Sequence, residues 1–274
     1  DADGLSVDSG TTANKLVRLD ANAKLPAVDG SQLTNLPALP AFQSIPYYAG
    51  TDTGRIHLRI TSNSTGTVIY TAEPAVGGLI TRRYEKLSTG QYQMTHTGSV
   101  PYGPTKYSMC VIGNYLYIPI YDATVHEKVY RYSAADLTGE QLMTISGTVF
   151  GSFGGDASFG DGSNIYIYKS DSVFSKYSIS GTTITFVADI TYTGAGRVDN
   201  GGAISNGSNV WMAATTDTSI VLKKYDFTGG AVIATATTYY IPKSFPEQGI
   251  ARIFLGSATS IGVAYGYTGY AGAN

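Results

Sequence analysis

Few side chains in this chain are of types that do chemistry, and their spacing is loose. The three histidines, His57, His96 and His126, are far apart, and none falls in a metal-ligand spacing. His57 alternates with Ile56 and Leu58 as a residue on a strand face would, His96 falls near a strand end, and His126 sits in the loop 122–127. No G-x-S-x-G elbow marks a serine nucleophile, and no glycine-rich phosphate loop is present. The single cysteine, Cys110, lies in the run Met109-Cys110-Val111-Ile112. That setting reads as a small buried hydrophobe, with a reactive thiol as the alternative. No cofactor and no metal are expected from these residues.

A more informative set lies in four glycine-containing segments, at 98–107, 150–160, 192–202 and 239–249. They hold Tyr102, Tyr107, Phe153, Phe159, Tyr192, Arg197 and Phe245, together with Asp156, Asp199 and Glu247. Aromatic rings beside carboxylates suit sugar recognition, because a ring covers the apolar face of a pyranose while polar groups hold its hydroxyls. The competing reading is that these aromatics plug the ends of a barrel. A cation held by Asp156, Asp199 and Glu247 would be a further use, but a D-x-D-x-D-G calcium loop is missing. Glycoside hydrolysis would need two acids ~5–9 Å apart, and Asp156 with Asp199 are candidates that sequence spacing does not support. The run Ser6-x-Asp8-x-Gly10 imitates a sialidase-type Asp-box, but Ala13 stands where an aromatic belongs.

Those segments need a scaffold, and the composition describes one. Charged residues make up only 14% of the chain, while Tyr (22) and Gly (33) are abundant, a profile of strands and turns. From about Gly54 short β-rich runs alternate with Gly, Asn, Asp and Ser turns. One unit, a turn followed by an apolar strand, recurs at 66–70, 113–117, 162–166, 207–211 and 259–263. A second unit pairs a basic residue with a tyrosine: Arg83-Tyr84, Arg131-Tyr132, Lys176-Tyr177 and Lys224-Tyr225. Its tyrosines are spaced by 48, 45 and 48 residues, and each is followed by a Thr-Gly or Ser-Gly turn. Four features in constant order at a period of ~40–50 residues are the signature of a propeller blade. The alternative is a β-sandwich of evenly spaced hairpins. The fold expected is all-β and propeller-like, with about five four-stranded blades, the last incomplete after a start near residue 250. The connector near 42–48, a neighbouring chain or residues beyond Asn274 would complete it. The segments with the aromatics and acids then become the links between blades, gathered on one face. The basic residues are expected on the solvated face of the third strand, and Trp211 takes the place of Tyr166 and Tyr117 in the inner packing.

Ahead of the repeats the character changes. Residues 1–12 are polar and read as a flexible lead-in, 13–47 as an extended segment with a proline-rich connector, and 48–274 as the β domain. Leu16, Val17, Leu19, Leu25, Val28, Leu33, Leu36 and Leu39 form a thin apolar line broken by Pro26, Pro37 and Pro40. Burying so few side chains falls short of the conformational entropy lost on ordering the segment. If it is ordered, the apolar line must face other chains.

The run NKLVRLDANAKLPAVDGSQLTNL resembles a segment that recurs in tail fibres and related structural proteins of tailed bacteriophages, and in phage-derived bacteriocin tails. There it usually reads IVQLDANGKLPAVDGSQLTNL. The likeness spans about 24 of 274 residues. It departs at Arg18, where Gln is usual, and at Ala23, where Gly is common, without touching the apolar line. The resemblance implies a virion component, most often a homotrimer, in contact with other virion proteins.

The expectation is therefore a structural or adhesive fibre protein whose N-terminal segment anchors a displayed β domain for host attachment, through a host-surface glycan or protein. It is expected on the extracellular particle, without enzymatic activity. The alternatives are a lectin-like glycan-binding module and a polysaccharide-degrading enzyme. A net charge of −2 and a pI near 5.9 argue against a nucleic-acid partner. No run reaches the ~18 apolar residues of a membrane-spanning helix.

Overall fold

The computed structural model describes residues 59–75, 77–101, 106–122, 126–151, 157–170, 173–192, 202–205, 209–215, 219–226, 233–242, 249–257 and 260–267. The chain divides into two units between Phe42 and Gln43, and every described residue belongs to the second. The oligomerisation line from Leu16 to Leu39 therefore lies outside the described residues, as do the lead-in and the connector.

Each turn signal closes a hairpin, and the hairpins assemble into consecutive antiparallel sheets. The first sheet is a simple meander of β1 (Arg59–Ser62), β2 (Val68–Ala75), β3 (Gly78–Lys86) and β4 (Tyr92–Val100). The second has a split inner edge, because β5 (Lys106–Tyr107) and β6 (Cys110–Ile112) both pair with β7 (Tyr115–Asp122). It continues through β8 (His126–Ser133) to the short β9 (Gln141–Leu142). The third runs β11 (Ser158–Gly160), β12 (Asn164–Ser170), β13 (Val173–Ser180) and β14 (Thr183–Thr191). The fourth repeats the meander with β15 (Ala203–Ser205), β16 (Asn209–Thr215), β17 (Ser219–Asp226) and β18 (Ile233–Pro242). A fifth unit contains β19 (Gly249–Ser257) and β20 (Ser260–Tyr267).

The inner strands β1, β6, β11, β15 and β19 follow one another, and β19 returns to lie beside β1. This is a β-propeller, as the period predicts. The expected blade number needs correction: four blades are complete, and among the described residues the fifth unit is a two-stranded hairpin. The reason is visible in the repeat, since the turn-plus-strand signal occurs five times but the basic-Tyr signal only four.

The seam between first and last units is tight. The Leu255 amide donates to Ser62 Oγ at 2.8 Å, and Lys86 Nζ donates to the Gly256 carbonyl at 3.0 Å. Gly66, with φ +67°, lies so close that a Cβ there would stand 2.5 Å from the Gly256 carbonyl carbon. No side chain fits at that approach, whatever its chemistry.

One segment departs from a simple meander. The second blade's fourth strand is only β9, after which β10 (Thr144–Ser146) leaves and pairs in parallel with β14 of the third blade. Between them Met143 is buried, with its amide donating to the Val129 carbonyl at 2.9 Å. Its side chain enters a cluster with Tyr117 and Val129 of the second blade and Ile165 and Tyr177 of the third. The stretch 141–146 thus staples two blades and covers part of an outer strand edge that would otherwise be open to another chain.

Candidate functional site

Meander topology places the turns after β1, β3, β6, β8, β11 and β13 at one end of the blades, and the inter-blade links at the other. Of the residues expected on the link face, Tyr102, Phe153, Asp156, Arg197, Asp199, Phe245 and Glu247 lie outside the described residues, as does His57. The other three, Tyr107, Phe159 and Tyr192, are each 1% exposed. For these the ligand-facing expectation is corrected, because all three are packing residues. Tyr107 donates its hydroxyl to the Ala72 carbonyl at 3.1 Å, and the Arg59 guanidinium sits 5.5 Å over its ring. Phe159 stacks on Tyr166 with centroids 4.6 Å apart and meets the edge of Phe174. Tyr192 contacts Phe174 and Tyr225 in the core shared by the third and fourth blades. Aromatics at blade ends serve burial here because each blade presents both of its surfaces to neighbours, leaving little room for a displayed ring.

The basic residues of the third strands share one register, and two of them, Arg83 and Arg131, sit differently from expectation. Each is paired across the strand with an aromatic of the second strand: Arg83 with Tyr70, Arg131 with Tyr117, Lys176 with Tyr166 and Lys224 with Trp211. A register shift accompanies the basic residue in the first, third and fourth blades. The Arg83 and Arg131 side chains reach the next blade. Arg83, itself buried, donates from Nε to the Ala134 carbonyl at 3.0 Å, and the Tyr70 hydroxyl donates to the same oxygen at 2.6 Å. Arg131 reaches the Gly181 carbonyl at 2.6 Å while covering the Tyr115 ring at 4.4 Å. Lys176 lies 5.7 Å from the Tyr166 centroid, and Lys224 5.7 Å from that of Trp211. Cation–aromatic pairs of this kind contribute ~0.5–1 kcal/mol where exposed. The Arg83 and Arg131 hydrogen bonds act as latches between consecutive blades, whereas the Lys176 and Lys224 pairs lie within one blade.

The described carboxylates show the same economy. Glu73 pairs with Arg82, Glu85 with Arg83, and Asp189 with Lys169 and the Ser175 hydroxyl. Burial pushes the Asp189 carboxyl up, but the Lys169 and Ser175 hydrogen bonds outweigh it and hold it below its ordinary value. Asp161 folds its own turn: it accepts from the Ser163 and Asn164 amides, the Asn164 side chain and the Tyr166 hydroxyl. Asp136 does likewise for Thr138. None of these acids faces another across a cleft. His96 is half-buried on β4, at the register shift opposite Arg83, and His126 is exposed with φ +57° beside Asp122 at a hairpin end. No group of three His, Cys, Asp or Glu suited to a metal ion occurs among the described residues.

A small polar pocket forms where the inner strands converge. Thr61 and Ser62 of β1, Cys110 of β6, Ser158 and Gly160 of β11 and Ser205 of β15 line it. Small side chains are required here because neighbouring inner strands close on one another. A Cβ on Gly160, for instance, would meet Ile112 Cγ1 at 2.2 Å. Cys110 is buried, and burial pushes its thiol up to about 12 despite a hydrogen bond with Ser158 that acts the other way. The thiol is thus protonated at neutral pH and poorly nucleophilic, in line with a small buried hydrophobe. Hydroxyl groups and a thiol of this kind can hold a small polar guest, but provide neither an acid nor a base.

The latches, the 141–146 staple and the axial pocket are features that sequence reading missed. The recurring basic-Tyr pair was the available signal for the first. The other two depend on pairings distant in sequence.

No protein-family model matches the chain, and no curated relative does. Among solved structures it is similar to YjhT, at 10% identity and a TM-score of 0.45, covering 73% of this chain and 69% of that one. It is similar to an engineered GH43 glycoside hydrolase described as having endo-xylanase and exo-arabinofuranosidase activity, at 12% identity and a TM-score of 0.48, covering 73% and 45%. A putative 6-phosphogluconolactonase from Bacteroides uniformis aligns at 11% identity and a TM-score of 0.39, over 76% and 70%. At such values these likenesses assign neither an activity nor a ligand to this chain.

Proposed function

We propose that the chain is the displayed, host-attaching part of a phage-type fibre, with residues 13–47 as the segment that joins three copies and fixes them to the particle. The observation that carries this reading is the run from Asn14 to Leu36, which resembles the fibre segment almost residue for residue. Physical chemistry supports it: an apolar line this thin gains too little by folding alone and is suited to burial between chains. The propeller is the outward module, and its partner is a host-surface glycan or protein. Turnover of a polymer is not part of the proposal, and purified capsule incubated with the protein is expected to keep its end-group count.

Light scattering on the full chain and on residues 48–274 tests the assembly. The full chain is expected at three times the mass of one copy and the shortened chain at one. A shortened chain that remains trimeric refutes the role given to the leading segment.

A further inference from the structure

The axial pocket contains a hydroxyl with an unmet need. Ser158 is 2% exposed, and its Oγ has no hydrogen-bond partner beyond the adjacent Cys110 thiol, a weak one. Opposite stands Ser62, also buried, whose Oγ accepts from the Leu255 amide and keeps its own proton to donate. Thr61, 3% exposed, and Ser205 complete a polar lining drawn from three inner strands, with Cys110 adding a fourth.

We propose that this pocket is a binding site for one ordered water molecule, which bridges Ser158 to hydroxyls of the neighbouring inner strands and ties the blades together at the axis. Three considerations lead there. A buried hydroxyl without a partner is costly, whereas a buried water typically makes ~3 hydrogen bonds to such groups. The free space accommodates a single water-sized body, so a sugar ring or a carboxylate is too large. The lining carries no formal charge, because the thiol is protonated, so a small ion would find no counter-charge. This inference does not rest on the attachment reading.

The test combines one variant with a direct observation. Replacing Ser158 by alanine (Ser158→Ala) removes the hydroxyl without filling the space. If the hydroxyl holds a water, the thermal midpoint falls, by roughly 2–4 °C for a domain of this size. If the hydroxyl is a dry, unsatisfied group, its removal raises the midpoint or leaves it unchanged, and the proposal is overturned. A crystal structure of the full chain, at a resolution that shows other buried waters, should place a density peak within hydrogen-bond distance of Ser158 Oγ and of one further hydroxyl. An empty pocket in such a map overturns the proposal whatever the midpoint does.

Discussion

Replacing Asp161 is the sharpest probe of how this propeller holds its turns. The carboxylate accepts from the Ser163 amide at 3.0 Å, the Asn164 amide at 2.8 Å, Asn164 Nδ2 at 2.9 and 3.1 Å, and the Tyr166 hydroxyl at 2.8 Å. Hydrogen bonds to a charged group contribute ~1.5–3 kcal/mol when well sheltered. Asp161 is exposed at one side, so its share is discounted for solvent, leaving roughly 1.5 kcal/mol for Asp161→Ala at neutral pH. At ~2–4 °C per kcal/mol for 150–250 residues, the midpoint should fall by roughly 3–6 °C. The pH dependence gives an independent check. Burial pushes the carboxyl up, but its hydrogen bonds outweigh that and hold it below its ordinary value in the folded state. A depressed folded value means stability that is fully present above the unfolded pKa of ~3.9 and lost as pH falls through the folded one. The gap between wild type and Asp161→Ala, followed by urea unfolding from pH 7 to pH 3, should therefore narrow on the acid side. Asp161→Asn should recover only part of the loss, because with its oxygen kept on the Ser163 and Asn164 amides its NH2 group faces the Asn164 Nδ2 donor. A gap below ~0.5 kcal/mol at pH 7, or one that stays constant or widens into acid, would refute the reasoning.

Two further outcomes follow from the packing. Gly66→Ala places a Cβ 2.5 Å from the Gly256 carbonyl carbon at a residue with φ +67°, so it should destabilise by more than ~2 kcal/mol in chemical denaturation. A neutral result would mean that the seam between the first blade and β19 is open in solution. Cys110, buried and with its thiol pushed up to about 12, should resist a disulfide reagent at pH 8 in the native protein and react at once after unfolding. Rapid native labelling would show that the inner strand β6 opens.

The repeat was legible because turn chemistry is local. Glycines and asparagines at fixed offsets force hairpins wherever they occur, and four in-phase recurrences are enough to identify blades. The same local reading placed Cys110 among hydrophobes. It misplaced Tyr107, Phe159, Tyr192, Arg83 and Arg131 for one reason. Alternation along a strand separates two faces, but in a propeller both faces of a blade press against neighbours. A period of two then carries no mark of which side meets water. Arg83 and Arg131 look like surface residues by type, yet their partners, the carbonyls of Ala134 and Gly181, lie some fifty positions away.

The sequence by itself determined the β class, the order of strands within a blade and the spacing of blades, because each follows from residues near one another in the chain. Tertiary structure alone decided the departure of β10 to the third blade, the return of β19 to β1 and the gathering of Thr61, Ser62, Cys110, Ser158 and Ser205 at the axis. These depend on which distant edges meet. Strands of two to four residues carry too little pattern to specify a partner in advance.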